Sequence, residues 1–410
     1  MTTDLDPIPF HRPSLGQAER DAVIEVMDSG WLTTGARTVE LETAFASCVG
    51  AAYAVAVNSA TAALHLALEG LGVERNDEVI VPTYTFAAAA ETVLYLGARP
   101  VLVDVDPVTA NVDPVAVAAA IGPLTRAVEV VHFAGLPADL PEVIAAAGTL
   151  PVIEDAAHAF PSPIASLGGR FAGTIGRAGA FSFYATKTIT TGEGGMLVTD
   201  DATLADRART MRLHGIGRDA WKRYTAAGSW YYEIEAAGFK DNLTDLAAAI
   251  GLVQLGRAVE LRAARAAIAR RYADGLADQA RGGRLILPAT GTGDEHAWHL
   301  FIVRLGDDAG SSEAINMDLP GVAGLPQGLR AIASRRARVI DALRQDGIGT
   351  SVHFIPLHLH PLYRRMGYRV GQFPAAEAAY AGSISLPIWP GMTDSQVDRV
   401  ILSVAAELAR

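Results

Sequence analysis

From residue 50 to 200 the chain alternates short apolar runs with stretches whose apolar positions recur every three or four residues. The runs predict strands at Tyr53–Val57, Glu78–Val81, Pro100–Val105, Ala127–Phe133, Val152–Glu154, Ala180–Phe183 and Met196–Thr199. Several carry Val, Ile or Leu at successive positions. That suits strands buried on both faces of a mainly parallel sheet. Between the first two runs, Ala60, Ala63, Leu64, Ala67, Leu68 and Leu71 make one apolar stripe at helical spacing. Glu91–Leu96 and Val115–Ala120 read as further helical crossovers. The alternation predicts an α/β layer architecture.

Beyond Thr199 the rhythm changes. Residues 201–214 and 244–285 read as helical, separated by an aromatic segment with Trp221, Tyr224, Trp230, Tyr231 and Tyr232. Further strands are expected at Leu300–Leu305, Thr350–Ile355 and Ser383–Pro387, spaced by helices that run to Arg410. Residues 306–328, rich in Gly, Ser and Pro, read as an exposed insertion. The expected division is a large domain over residues 1–260, with an N-terminal arm, and a smaller α+β domain over 261–410. A length of 410 residues is compatible with two or three domains.

Composition narrows the classes of partner. With 34 basic against 45 acidic side chains the net charge is -11, which argues against nucleic acid, since phosphate contacts need clustered Lys and Arg. Half of the residues are hydrophobic, but much of that share is alanine. The longest apolar stretch, residues 51–68, is cut by Asn58, Ser59, Thr61 and His65, so no membrane span is expected. Asp4 and Asp6 stand where a signal peptide would be basic, then apolar. The single cysteine, Cys48, has no internal partner and fits a reducing compartment. The expectation is a soluble cytoplasmic protein.

The segment Gly179-Ala-Phe-Ser-Phe-Tyr-Ala-Thr-Lys187-Thr-Ile-Thr-Thr-Gly-Glu-Gly-Gly195 is the most informative. A lysine follows a buried-type strand within a glycine-closed loop, with no other charge before Glu193. A desolvated lysine loses its proton readily and attacks carbonyls. A phosphate-gripping lysine of the P-loop kind would need Gly before it, and Thr186 stands there. Val152-Ile-Glu-Asp155-Ala-Ala-His158 supplies a second element. Glu154 and Asp155 point to opposite faces of a strand, so they are a poor acid/base pair. One carboxylate at the carboxyl edge of a parallel strand is where such sheets place ligand contacts, and it suits a protonated pyridine nitrogen. A loop cap fits the segment equally. The third element, Val57-Asn-Ser59-Ala-Thr61, is a strand–turn–helix whose hydroxyls and free amides suit an anion; alone it reads as an N-cap.

Weaker signals have plainer readings. His353, His358 and His360 lack a carboxylate or Cys at ligand spacing, so they read as substrate-lining or core histidines and no metal is expected. Asp104 and Asp106, ahead of Pro107, read as a strand-end turn.

With these residues in view, the chain resembles the sugar aminotransferases of the DegT/DnrJ/EryC1/StrS family, pyridoxal-phosphate enzymes of fold type I. The likeness runs from Arg12-Pro-Ser-Leu and Ser29-Gly-Trp-Leu-Thr-Thr-Gly35 to Ser385-Leu-Pro-Ile-Trp-Pro-Gly-Met-Thr393. It includes Val81-Pro-Thr-Tyr-Thr-Phe86, Glu154-Asp-Ala-Ala-His158, Phe181-Ser-Phe-Tyr-Ala-Thr-Lys187, Gly192-Glu-Gly-Gly195 and Asn242-Leu-Thr-Asp-Leu-Ala-Ala-Ala-Ile250. His296-Ala-Trp-His-Leu-Phe301 looks most like the enzymes that aminate UDP-4-keto-pentose.

The resemblance implies a large domain with a mainly parallel seven-stranded sheet, a smaller C-terminal α+β domain, and pyridoxal 5′-phosphate (PLP) as cofactor. Lys187 would form the Schiff base and shuttle the proton; Asp155 would pair with the pyridine nitrogen. Phe86 would stack on the ring, and His158 would lie beside it. Ser59, Ala60, Thr61 and Ser182 would hold the phosphate, with Asn242 reaching the phosphate in the neighbouring subunit of a homodimer. L-glutamate would donate the amine to a nucleotide-linked keto-sugar, 4-keto first, with 3-keto sugars or keto-cyclitols as alternatives. Dehydratases of the family carry histidine in place of Lys187, and a non-catalytic regulator on this scaffold would have lost Lys187 or Asp155. A nicotinamide-dependent dehydrogenase would need a Gly-x-Gly-x-x-Gly turn where Asn58-Ser-Ala-Thr61 stands. The family usually has Gly at Ala60, Pro at Ala36 and Tyr at Phe133, and nothing matching 306–328.

Overall fold

The computed structural model describes residues 6–216, 231–291, 296–306, 322 and 324–409. All seven expected strands of the first half form, within one or two residues, as β1 (Tyr53–Val57), β2 (Glu78–Pro82), β3 (Arg99–Val103), β4 (Thr125–Val131), β5 (Val152–Asp155), β8 (Ala178–Ser182) and β9 (Gly195–Thr199). A short hairpin of β6 (Pro163–Ile164) and β7 (Arg170–Phe171) intervenes. The seven make one sheet in the order β1-β9-β8-β5-β4-β2-β3. Pairing is parallel from β3 across to β8, and β9 alone runs antiparallel to its neighbours β8 and β1.

The unbroken apolar character of the strands follows from this layering. One face, with Val55, Val79, Val81, Ala127, Val131 and Ile153, packs on the helices Ala60–Gly70, Ala88–Tyr95 and Ala202–Met211. The other, with Ala54, Ile80, Val128, Val130 and Val152, packs on Ala36–Val49, Pro114–Ala120, Leu140–Ala147 and Asp245–Gly256. The carboxyl ends of the parallel strands then share one edge, where the connecting loops gather.

The C-terminal α+β part has its own core, in which Tyr272, Phe301, Val339, Leu343, Ile384 and Val400 pack together. Its sheet consists of β10 (Leu285–Ile286), β11 (Phe301–Leu305) and β12 (Ser383–Leu386), all antiparallel. Residues 350–355 are not the strand their alternation predicts. Only Ser351 bridges to Ser385, while the His353 carbonyl accepts from the Tyr84 hydroxyl at 2.8 Å and Nδ1 of His353 lies 2.8 Å from Ser385 Oγ. Side-chain bonds to Tyr84, in the loop after β2, and to Ser385 of β12 thus replace the ladder. The predicted helical run 244–285 divides into Asp245–Gly256, Ala258–Gly275 and Ala277–Arg281, and its end supplies β10.

Asp104 does more than end a strand: its carboxylate accepts the amides of Ala375 (3.0 Å) and Ala376 (2.9 Å), capping the helix Pro374–Gly382 from across the molecule. Asp106 closes a local turn on Thr109. Trp221, Tyr224 and Trp230 lie outside the described residues, as do 307–321 and 323 of the expected insertion. The described end of that stretch is not all exposed, since Val322 and Leu325 are buried and the helix Gln327–Gln345 begins there. Among the described residues no helix is long and apolar enough to cross a membrane.

Candidate active site

Lys187 lies in the loop that returns β8 into β9. Its amide donates to the Tyr184 carbonyl at 2.9 Å, and Thr190 and Thr191 tie the loop to the Phe183 carbonyl at 3.0 and 2.9 Å. The lysine Nζ is 3.5 Å from Nε2 of His299. Burial lowers its pKa to about 8; Asp155 opposes the shift and the Arg265 guanidinium adds to it. Asp155 ends β5, in register with Val131 of β4 and Ala180 of β8, and accepts the Ala157 amide at 3.0 Å. Burial raises its pKa, against the pull of that amide and of Lys187.

Glu154 takes the opposite face, as the alternation requires. Its two oxygens meet Nε2 of His132 at 2.9 Å and the amides of Gly173, Ile175 and Gly176 at 2.6, 2.6 and 2.5 Å. Burial alone would raise its pKa, but His132 and these amides bring it below the ordinary value.

Rings continue the site outward. His158 packs on His299 with centroids 4.4 Å apart and on Phe354 at 6.0 Å, and Phe354 meets Phe86 at 5.9 Å. Burial first, and Lys187 next, push His158, His299 and His353 toward the neutral imidazole, His353 to about 4. Among the described residues, Nδ1 of His158 and of His299 have no partner although both are buried, and Phe86 is 60% exposed.

The Ser59 turn joins the site through the sheet. Ser59 Oγ accepts the Ala62 amide at 3.1 Å, so the N-cap reading holds, and the amides of Ala60 and Thr61 have no intrahelical acceptor. Gly195 packs so closely that a Cβ there would meet the Ser59 carbonyl carbon at 2.4 Å, which explains the glycine closing the lysine loop. Ser182, His158, Lys187 and His299 line one small cavity. Asn242 stands apart: it bridges Val57, its Nδ2 donates to Thr34 Oγ1 at 2.6 Å, and its Oδ1 accepts from Lys240. His353, His358 and His360 do not converge; His358 bonds Thr83 and Glu377.

Three residues of this neighbourhood were not singled out in the sequence. His299 lies within a recognised motif, but its place against Lys187 depends on a contact across 112 positions. Arg265 is one arginine among several on a helix, and Glu129 is one polar residue in an apolar strand. Neither carries a local signal.

The family profile of the DegT/DnrJ/EryC1/StrS aminotransferases matches residues 13–320 and 325–405. The chain belongs to this family. It is 44% identical over 401 residues to the spore coat polysaccharide biosynthesis protein SpsC of Bacillus subtilis, covering 97% of this chain and 96% of that one. A protein of Streptococcus pneumoniae described as a sugar aminotransferase, solved in its PLP form, is 30% identical with a TM-score of 0.84; 98% of this chain and 99% of that one are covered. DesV of S. venezuelae gives 32% identity and a TM-score of 0.84 over 99% and 100% of the two chains. Like its family, the protein is a PLP-dependent sugar aminotransferase of fold type I.

The residues fit that cofactor. A planar ring would cover the exposed Phe86 and offer a partner to the orphaned Nδ1 of His158. A phosphate suits the first-turn amides that lack an intrahelical acceptor, and an aldehyde suits an amine whose pKa burial lowers to about 8.

Proposed function

We propose that this aminotransferase moves the amino group of L-glutamate to a nucleotide-linked keto-sugar, a 4-keto sugar first, by a ping-pong mechanism. The observation that carries this reading is the Lys187 amine, lowered to about pKa 8 at the edge where Asp155, His158 and His299 meet. In this reading Lys187 holds the cofactor and then, at Nζ, carries the proton between the amino acid's α-carbon and the cofactor in the first half-reaction, and between the cofactor and the sugar carbon in the second. The cofactor, when bound, supplies the electron sink for that proton transfer. Asp155 keeps the pyridine nitrogen protonated, Phe86 and His158 orient the ring, and Ser59, Ala60, Thr61 and Ser182 bind the phosphate. Asn242 serves the partner subunit's site in a homodimer, with residues 1–260 as the large domain and 261–410 as the small one. The polysaccharide-related name of SpsC supports an activated sugar as acceptor, and a lone exposed Cys48 suits the cytoplasm.

The test is spectroscopic. Holoprotein should show the visible band of lysine-bound PLP, lose it with L-glutamate, and regain it with the right keto-sugar from a panel of 4-keto, 3-keto and cyclitol acceptors. Absence of the band, or turnover by Lys187→Ala near the wild-type rate, overturns the reading. For the shared site, mixing Lys187→Ala with Asn242→Ala chains should restore activity, because one site of each hybrid dimer is then intact.

A further inference from the structure

Arg265, in the helix Ala258–Gly275, is only 1% exposed, yet among the described residues no carboxylate pairs with it. Its guanidinium is satisfied by carbonyls instead. Nη1 donates to Ile388 (2.9 Å), His299 (3.3 Å) and Trp298 (3.4 Å), Nη2 donates to Thr186 (3.3 Å), and Nε has no partner. Thr186 immediately precedes Lys187. Trp298 holds a left-handed backbone at φ 53, so the arginine braces the turn that presents His299. His11 grips the same lysine loop one residue earlier, at the Ala185 carbonyl (2.7 Å).

We propose that Arg265 is a positioning residue for the aminotransferase reaction: an uncompensated buried cation that ties the Lys187 loop to the turn carrying His299 and sets positive potential behind the lysine. A buried arginine normally has a carboxylate beside it, because a lone charge in low dielectric is costly. Four carbonyls satisfy the hydrogen bonds here but leave the charge standing. That charge acts on whatever lies near it, and it contributes to the lowered pKa of Lys187, His299 and His11.

The other groups facing Lys187 sharpen the assignment. Asp155 at the end of β5 favours its protonated form. His158, His299 and His353 are pressed neutral by burial and add little charge. Among the described residues Arg265 is therefore the permanent cation that opposes Asp155 at the lysine, and the balance of the two bears on the fraction of free amine.

The proposal rests on Lys187 being the lysine that carries PLP. The experiment compares wild-type holoenzyme with Arg265→Gln, which keeps hydrogen-bond donors without the charge, and Arg265→Lys, which keeps the charge with fewer donors. The visible band is titrated against pH. In parallel, apoprotein is labelled with acetic anhydride at a series of pH values, and mass spectrometry reads the Lys187 midpoint. We expect both midpoints to rise by about one pH unit in Arg265→Gln and to stay near wild type in Arg265→Lys. Unchanged midpoints in a folded Arg265→Gln, or equal shifts in the two variants, overturn the proposal. Arg265→Met serves as a second neutral variant. If neither neutral variant folds, Arg265→Lys decides by apoprotein labelling: a shift of about one unit despite the retained charge overturns it. Borohydride reduction of the wild type separates the two readings. Phosphopyridoxyl label on a lysine other than Lys187 overturns both, whereas label on Lys187 with unmoved midpoints overturns the role of Arg265 alone.

Discussion

The two faces of the sheet at β4 and β5 treat their acids in opposite ways. On one, Glu154 meets four donors and its charge is fully answered. On the other, among the described residues, Asp155 has the single amide of Ala157, and Glu129, fully buried one strand away, has no partner at either oxygen. Burial, then the neighbouring Asp155, raises the Glu129 pKa well above the carboxylate range. The satisfied face holds loops in place; the unsatisfied face leaves polarity available for a cofactor and its reaction. Polar saturation, more than the number of polar residues, distinguishes scaffold from site here.

Breaking the reactive face at its centre should give the largest effect. Lys187→Ala is expected to lower single-turnover transamination by about ten thousandfold, with thermal melting showing the protein folded. Breaking the saturated face should show in stability instead. Glu154→Ala strands His132 and three amides and should cost about 3–5 kcal/mol in urea denaturation. Asp155→Asn, which keeps the shape but loses the charge, should lower kcat by about a hundredfold while the melting temperature barely moves.

The smallest effect has the sharpest sign. Glu129 stays protonated in the fold while the unfolded chain loses that proton above the ordinary carboxyl pKa. In that range the unfolded state binds fewer protons, so stability falls as pH rises, until the raised folded value is passed. Glu129→Gln removes the titration and should be more stable than wild type at pH 8 by about 1 kcal/mol, a gain that vanishes near pH 4. Urea midpoints at the two pH values measure it; an equal difference at both would contradict the assignment.

This contrast also marks what could be read from the chain alone. The seven strands were legible because burial on both faces writes continuous apolar runs. Asp155 stood out at a strand end and Lys187 in a glycine-closed loop with no charge before Glu193, and the structure brings the two close enough for Asp155 to act on the lysine's pKa. Residues 350–355 misled because their alternation is that of a strand, while a tyrosine 269 positions away takes the His353 carbonyl. Glu129 was silent for a related reason: a charged letter in a strand normally marks an exposed face, and nothing nearby in sequence tells that the fold buries it. His299 and Arg265 meet Lys187 only through tertiary contacts, so sequence spacing holds no trace of their pairing with it.

The cap that Asp104 places on the helix Pro374–Gly382 turns two amides into a gauge. First-turn amides of a helix ordinarily exchange with solvent almost freely, since no carbonyl of the helix accepts them. Those of Ala375 and Ala376 are instead held by a carboxylate at the exit of β3. Their deuterium uptake therefore reports how often the C-terminal part lifts from the large sheet, and it does so without any label, ligand or turnover.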